Sequence, residues 1–173
     1  MNKYFERLKN AIGSATQGMG INELSQRPAK GKWSIAEVLE HLSLTYSGTV
    51  KNLERSLNAG RPLGGTPTLK QRVVSMLVTD FGYFPPGRKS PEGAKPKGMS
   101  AETVLGEING RIAQLDEVIQ KCESKFGKRT FVADHPVLGP ITMQQWRKFH
   151  WVHGKHHIRQ ILRMRQFHAE PKL

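Results

Sequence analysis

The stretch TMQQWRKFHWVHGKHHIRQILRMRQFH, residues 142 to 168, contains no proline, and its apolar positions recur at helical spacing. Thr142 and Gln145 open it in the capping-box pattern, with Ile141 and Trp146 placed to staple across the first turn. It reads as one long helix. At about 100° per residue from His157, the side chains of Met143, Trp146, His150, His153, Ile161, Met164 and His168 fall within roughly 40° of one line. Three histidines, His150, His153 and His157, therefore share the middle of an apolar seam, whereas His156 lies about 100° away. Arg147, Lys148, Lys155, Arg159, Arg163 and Arg165 lie at about 80° or beyond, which predicts a solvated basic face.

Such a seam needs partner helices to cover it. Residues 2 to 18 carry Tyr4, Phe5, Leu8 and Ile12 at helical spacing, until the polar QRPAKGK, 26 to 32, breaks the pattern. A second helix starts at WSIAEVLEHL, 33 to 42, where Ser34 and Glu37 form a capping box and Trp33 can staple onto Val38. It runs to about Leu57, before the stop signal of Gly60 and Pro62. Thr66 and Pro67 read as the cap and first turn of a shorter helix through VVSMLV toward Phe81. Ser100 caps a helix with Val104, Ile108, Ile112, Leu115, Val118 and Ile119 on one stripe, ending near Lys125. RTFVADHPVLGP, 129 to 140, reads as a short strand or extended piece. FPPGRKSPEGAKPKGMS, 84 to 100, reads as a long surface loop, by composition a connector. Four main amphipathic helices with no internal repeat predict an all-α four-helix bundle, residues 1–173 forming a single domain, with an extra short helix and a long Pro/Gly/Lys-rich loop.

The composition narrows the partners. The N-terminus MNKYFERLKN has no apolar run to serve as a signal-peptide core, and VVSMLV at 73 to 78 is too short to cross a bilayer. A soluble cytoplasmic protein is expected, with no membrane partner. Cys122, the one cysteine among 173 residues, excludes an internal disulfide and reads as helix packing. A formal charge of +13 favours anionic ligands. No nucleic-acid reading motif accompanies it, so nucleic acid is not an expected partner.

Imidazoles on a buried seam must be satisfied, since an unpaired polar group in a core costs about 1–3 kcal/mol. His153 and His157 stand four residues apart on one helix face, a spacing that lets two ring nitrogens converge on one ion. A hydrogen-bonded core network and a metal pair both fit that spacing. A third ligand has to come from another segment. His41, at the edge of the stripe formed by Ile35, Leu42, Tyr46 and Leu53, is the candidate; His135, before Pro136, and His168, near the helix end, compete with it.

WSIAEVLEHL, DHPVLGPITMQQW and HWVHGKHHIRQI, in that order over roughly residues 33 to 165, resemble the DinB-like superfamily. They are most similar to its uncharacterised branch with an HP-x-x-G segment ahead of a histidine-rich final helix. The resemblance implies an up-down-down-up four-helix bundle, a homodimer, and a divalent metal held by one histidine of the second helix and two of the last. Residue by residue it points to His41, His153 and His157 as ligands, with His150 one turn deeper as a neighbour. It also implies a role for Gln160 in orienting a ligand ring.

Characterised members include thiol-dependent transferases that use bacillithiol or mycothiol and a mycothiol-dependent maleylpyruvate isomerase. The resemblance therefore implies a metal-dependent enzyme that transfers a low-molecular-weight thiol to a small electrophile. The alternatives are a metal-binding structural protein and an anion-binding helical bundle. Three neutral imidazoles would leave a divalent ion its charge and an open position, zinc or nickel suiting imidazole best, with iron or manganese also compatible. The sequence has no Ser-His-Asp order, no phosphate-cradling glycine loop and no carboxylate pair on the seam. Arg88 and Lys89 of the long loop are expected to border the pocket and to attract an anionic small-molecule substrate.

Overall fold

The computed structural model describes residues 1–84 and 90–169, without the side chains of 168 and 169. Among the described residues, helix α1 spans Lys3–Thr16, α2 Ile21–Ser25, α3 Ile35–Asn58, α4 Leu69–Thr79, α5 Ala101–Phe126 and α6 Met143–Ala169, with a 3-10 turn at Glu92–Ala94. Strands β1, Ala133–His135, and β2, Gly139–Ile141, pair antiparallel with Ala133 opposite Ile141 and His135 opposite Gly139. The fold is an all-α bundle with one small hairpin.

The long helices start where the sequence signals. Ser34 Oγ accepts from the Glu37 amide at 3.2 Å while the Glu37 carboxylate accepts from the Ser34 amide at 2.7 Å. Thr142 and Gln145 exchange the same pair of bonds at 3.2 and 2.9 Å, satisfying amides that a helix N-terminus leaves over. The start of α4 differs from expectation. Thr68, not Thr66, is its cap, because Gln71 reaches back to the Thr68 amide at 2.8 Å, whereas Leu69, three residues after Thr66, has no acceptor to offer. The five-residue α2 was not expected in the region between the first two long helices; Leu24, fully buried, anchors it.

Pairing partners fix the helix directions. α3 and α5 start together, where Glu40 meets the amides of Lys97 to Met99, and end together, where Lys125 Nζ donates to the Leu57 carbonyl at 3.2 Å. They run parallel, which the long 59–100 connection permits. α1 and α6 also run parallel: Tyr4 faces Trp151, and Arg165 near the far end donates to the carbonyl of Ala15. Arg147, in the first turns of α6, reaches Asp116 and Glu123 in the second half of α5, so these two helices are antiparallel. The order is up, down, down, up.

One close approach sets the α1–α6 spacing. A Cβ at Gly154 would overlap the Leu8 side chain, so glycine in mid-helix here exchanges helix propensity for backbone proximity. The core is continuous from Phe5, Leu8 and Ile12 through Leu39, Leu42, Tyr46 and Leu53 to Ile108, Ile112, Trp146 and Ile161. Arg147 corrects the expected solvated face. It is only 5% exposed, its guanidinium bonded to Asp116 at 2.5 Å and in a two-point contact to Glu123 at 3.1 and 2.9 Å. Among the described residues no helix is long and apolar enough to cross a membrane.

Candidate metal centre

The seam of α6 turns His150, His153 and His157 into the bundle, and α3 brings His41 to meet two of them. His41 Nε2 lies 3.2 Å from His153 Nε2, and His157 Nε2 lies 3.1 Å from the same atom. One ring nitrogen from each of the three residues falls within 4.8 Å of the other two, a group that could hold a metal ion. Ligand nitrogens of a tetrahedral zinc, each about 2.0–2.1 Å from the ion, stand about 3.3–3.4 Å apart, close to two of these separations.

The outer faces of the rings decide which nitrogen is bare. His41 Nδ1 donates to the Ala94 carbonyl at 2.7 Å, and His157 Nδ1 donates to Gln160 Oε1 at 3.0 Å. Each therefore presents an unprotonated Nε2 to the shared space. His153 Nε2 can donate to at most one of two bare nitrogens, so the set carries converging lone pairs that it cannot satisfy internally. A cation satisfies all three, and the donor set fits a borderline ion such as zinc or nickel.

Burial keeps the rings neutral. It pushes His157 down to about 3, with the neighbouring His41 adding to the shift. It also lowers His41, and it holds His153 well below the ordinary histidine range together with His157 and His41. Aromatic neighbours flank two of the rings: Trp33 lies 5.3 Å from the His41 ring, tilted by 38°, and Phe149 stacks on His153 at 5.3 Å and 12°.

The covering segment is part of the construction. Glu40, 1% exposed, accepts from the backbone amides of Lys97, Gly98 and Met99 at 2.7, 3.1 and 2.9 Å. Successive amides converging on one carboxylate form an anion cradle, which Gly98 permits at φ 93°. This cradle and the His41–Ala94 bond dock residues 92–99 over the N-terminal end of α3. Composition alone leaves that segment as a lid or a connector; its Ala94 carbonyl is bonded to His41, so residues 92–99 line one side of the histidine group. Its clipping point, Glu40, left no sequence signal beyond a carboxylate beside His41. Arg88 and Lys89 lie outside the described residues.

Of the competing histidines, His135 sits in the hairpin. Its Nδ1 accepts from the amides of Val137 and Leu138, both at 3.1 Å, and burial pushes it down to about 4. His150 is fully buried among Phe5, Tyr46, Trp146 and Phe149, and burial, with His135 nearby, takes it down to about 3. It stands outside the group of three. His156 is exposed, its ring 5.3 Å from Phe84. Cys122 is buried and its thiol pushed up to about 11, chiefly by burial, as packing requires and a nucleophile does not. An open hollow of about 720 Å³ between Leu57 and Lys125 lies toward the opposite end of α3 from His41 and gathers no such set of ligating groups.

The profile of the DinB superfamily matches residues 4–161, nearly the whole chain. The chain belongs to this superfamily. It is similar to the uncharacterised protein YuaE of Bacillus subtilis (strain 168), with 25% identity over 160 residues that cover 87% of this chain and 88% of that protein. No solved structure gives a significant match. The superfamily assignment agrees with the helix directions and with a histidine cluster built from α3 and α6.

Proposed function

We propose that His41, His153 and His157 hold one divalent metal ion, zinc or nickel before iron or manganese, and that the chain is a metal-dependent enzyme that conjugates a low-molecular-weight thiol to a small electrophile. The observation that carries this reading is the convergence of three Nε2 atoms, two of them bared by the Ala94 and Gln160 acceptors behind them. When bound, an ion with three neutral ligands keeps its charge and an open position, where it acidifies a thiol or a water. The chain's own residues hold the imidazoles neutral and oriented, and Trp33 and Phe149 flank two of the rings.

The surroundings suit a thiol that carries carboxylates. The net charge of +13 favours an anionic thiol, Arg159 and Arg163 on the solvated face of the ligand helix add positive charge near His156, and Phe84 lies 6.0 Å from the His153 ring. Net conjugation forms a carbon–sulfur bond and either releases a halide and the thiol proton or opens an epoxide, whose oxygen takes the proton. The test is a panel of small thiols with haloarene and epoxide electrophiles, using metal-loaded and chelator-stripped protein. Metal-dependent turnover with at least one thiol is the expected result. If no thiol perturbs the spectrum of the cobalt-substituted protein, thiol conjugation is excluded even where cobalt binds.

A further inference from the structure

The three convergent histidines are not equally supported. His41 and His157 each have an acceptor for Nδ1, but the buried Nδ1 of His153 has no partner among the described residues. Ligation through Nε2 leaves the proton on Nδ1, and a metal-bound imidazole ordinarily gives that proton to an oxygen or a further nitrogen. The unmet donor is not isolated. Both ring nitrogens of His150, the Tyr46 hydroxyl and Trp146 Nε1 are also buried and lack a hydrogen-bond partner among the described residues.

These groups lie together. The His150 ring is 5.5 Å from Tyr46 and stacked on Trp146 at 5.9 Å, and it shares Phe149 with His153 as a neighbour at 5.2 and 5.3 Å. His150 and His153 are three residues apart, so their side chains leave adjacent positions of one helix face. Each buried polar group left dry costs about 1–3 kcal/mol, and so many in one place would consume much of the stability of a domain this size. Buried water, about one molecule per 27 residues in folded proteins and bonded to about three polar partners, is the ordinary remedy in a polar interior.

We propose that Tyr46 and His150 are positioning residues, which complete the hydrogen-bond shell of His153 through internal water and so fix the third ligand as Ala94 and Gln160 fix the other two. This rests on the metal reading above. In this arrangement the Nδ1–H of His153 donates into a small internal network to which His150 and Tyr46 each contribute a donor and an acceptor and Trp146 a donor. The apolar seam of α6 thus carries three histidines because two serve as ligands and the third, His150, orients one of them.

Cobalt(II) affinity, measured by chelator competition together with the d–d absorption of the bound ion, tests the proposal on the full chain. Tyr46→Phe and His150→Leu should each weaken cobalt about 10- to 100-fold and shift the absorption, as loss of an outer partner does at other histidine sites. His150→Gln, which keeps a donor and an acceptor, should recover part of the affinity. The melting temperature of metal-free Tyr46→Phe should fall by only a few degrees, because the change removes one hydroxyl from the network and leaves the ring packing in place. Native affinity and an unchanged spectrum in Tyr46→Phe and in any folded His150→Leu would overturn the proposal, as would affinity losses that merely track losses of melting temperature. If the native chain itself binds no cobalt, the metal reading fails and takes this inference with it.

Discussion

His135 and the three convergent histidines are all neutral, but for different ends. The hairpin residue uses its bare Nδ1 to gather the amides of Val137 and Leu138, and a proton there would break both bonds. Its ordinary value of 6.5 is held down to about 4 by burial. Below about pH 6.5 the unfolded chain therefore takes up a proton that the folded chain refuses, and stability present at neutral pH is lost progressively toward pH 4. In His135→Asn the side-chain oxygen still accepts from the turn, so melting temperature between pH 6.5 and 4 should fall less steeply, with up to about one proton fewer in the linkage. Equal slopes for the two proteins would remove His135 from that transition. At this scale the seam of α6 was legible from periodicity alone, since His150, His153 and His157 are all turned inward as their register requires. His41 was only partly legible. Its register places it at the edge of a stripe, and its burial, at 4% exposure, comes from a segment more than fifty residues away.

Between elements, two sets of buried carboxylate contacts do what helix periodicity does not describe. Glu40 clips residues 97–99 over α3, and Glu40→Gln leaves one oxygen to serve three amides. This variant should lose about 1–3 kcal/mol in urea unfolding and about tenfold in metal affinity through the displaced Ala94 carbonyl. Unchanged affinity would make the clip purely structural. Arg147 ties α6 to α5 through Asp116 and Glu123, and Asp116 also accepts from the Asn2 amide at 2.8 Å and from Gln120 at 2.9 Å. Arg147→Leu strands two carboxylates and should cost about 3–5 kcal/mol; a loss below about 1 kcal/mol would show that water compensates them. The capping boxes at Ser34 and Thr142 were readable because both halves lie within four residues. Arg147 was misplaced because its partners lie on another helix, and an angle of about 80° from the seam separates solvent from a neighbouring helix only when that neighbour's position is known.

Across the whole molecule, the parallel α3–α5 pair and the parallel α1–α6 pair bring the second turn of α3 against the middle of α6, so one histidine meets two. The bundle class followed from four amphipathic helices, and the helix order from the family resemblance. The strand reading of residues 129–140 corresponds to the small hairpin, whereas the wall formed by residues 92–99 and the hidden Tyr46–His150 pair depend on contacts between distant segments and could not be read from local pattern. All of these converge on the claim that His41, His153 and His157 form a metal site. Its most direct test is elemental analysis of protein purified without a histidine tag, comparing the native chain with His153→Ala. About one divalent transition metal per native chain and essentially none in the variant is the expected result; a native chain without such a metal, or a variant that retains the full amount, would overturn the assignment.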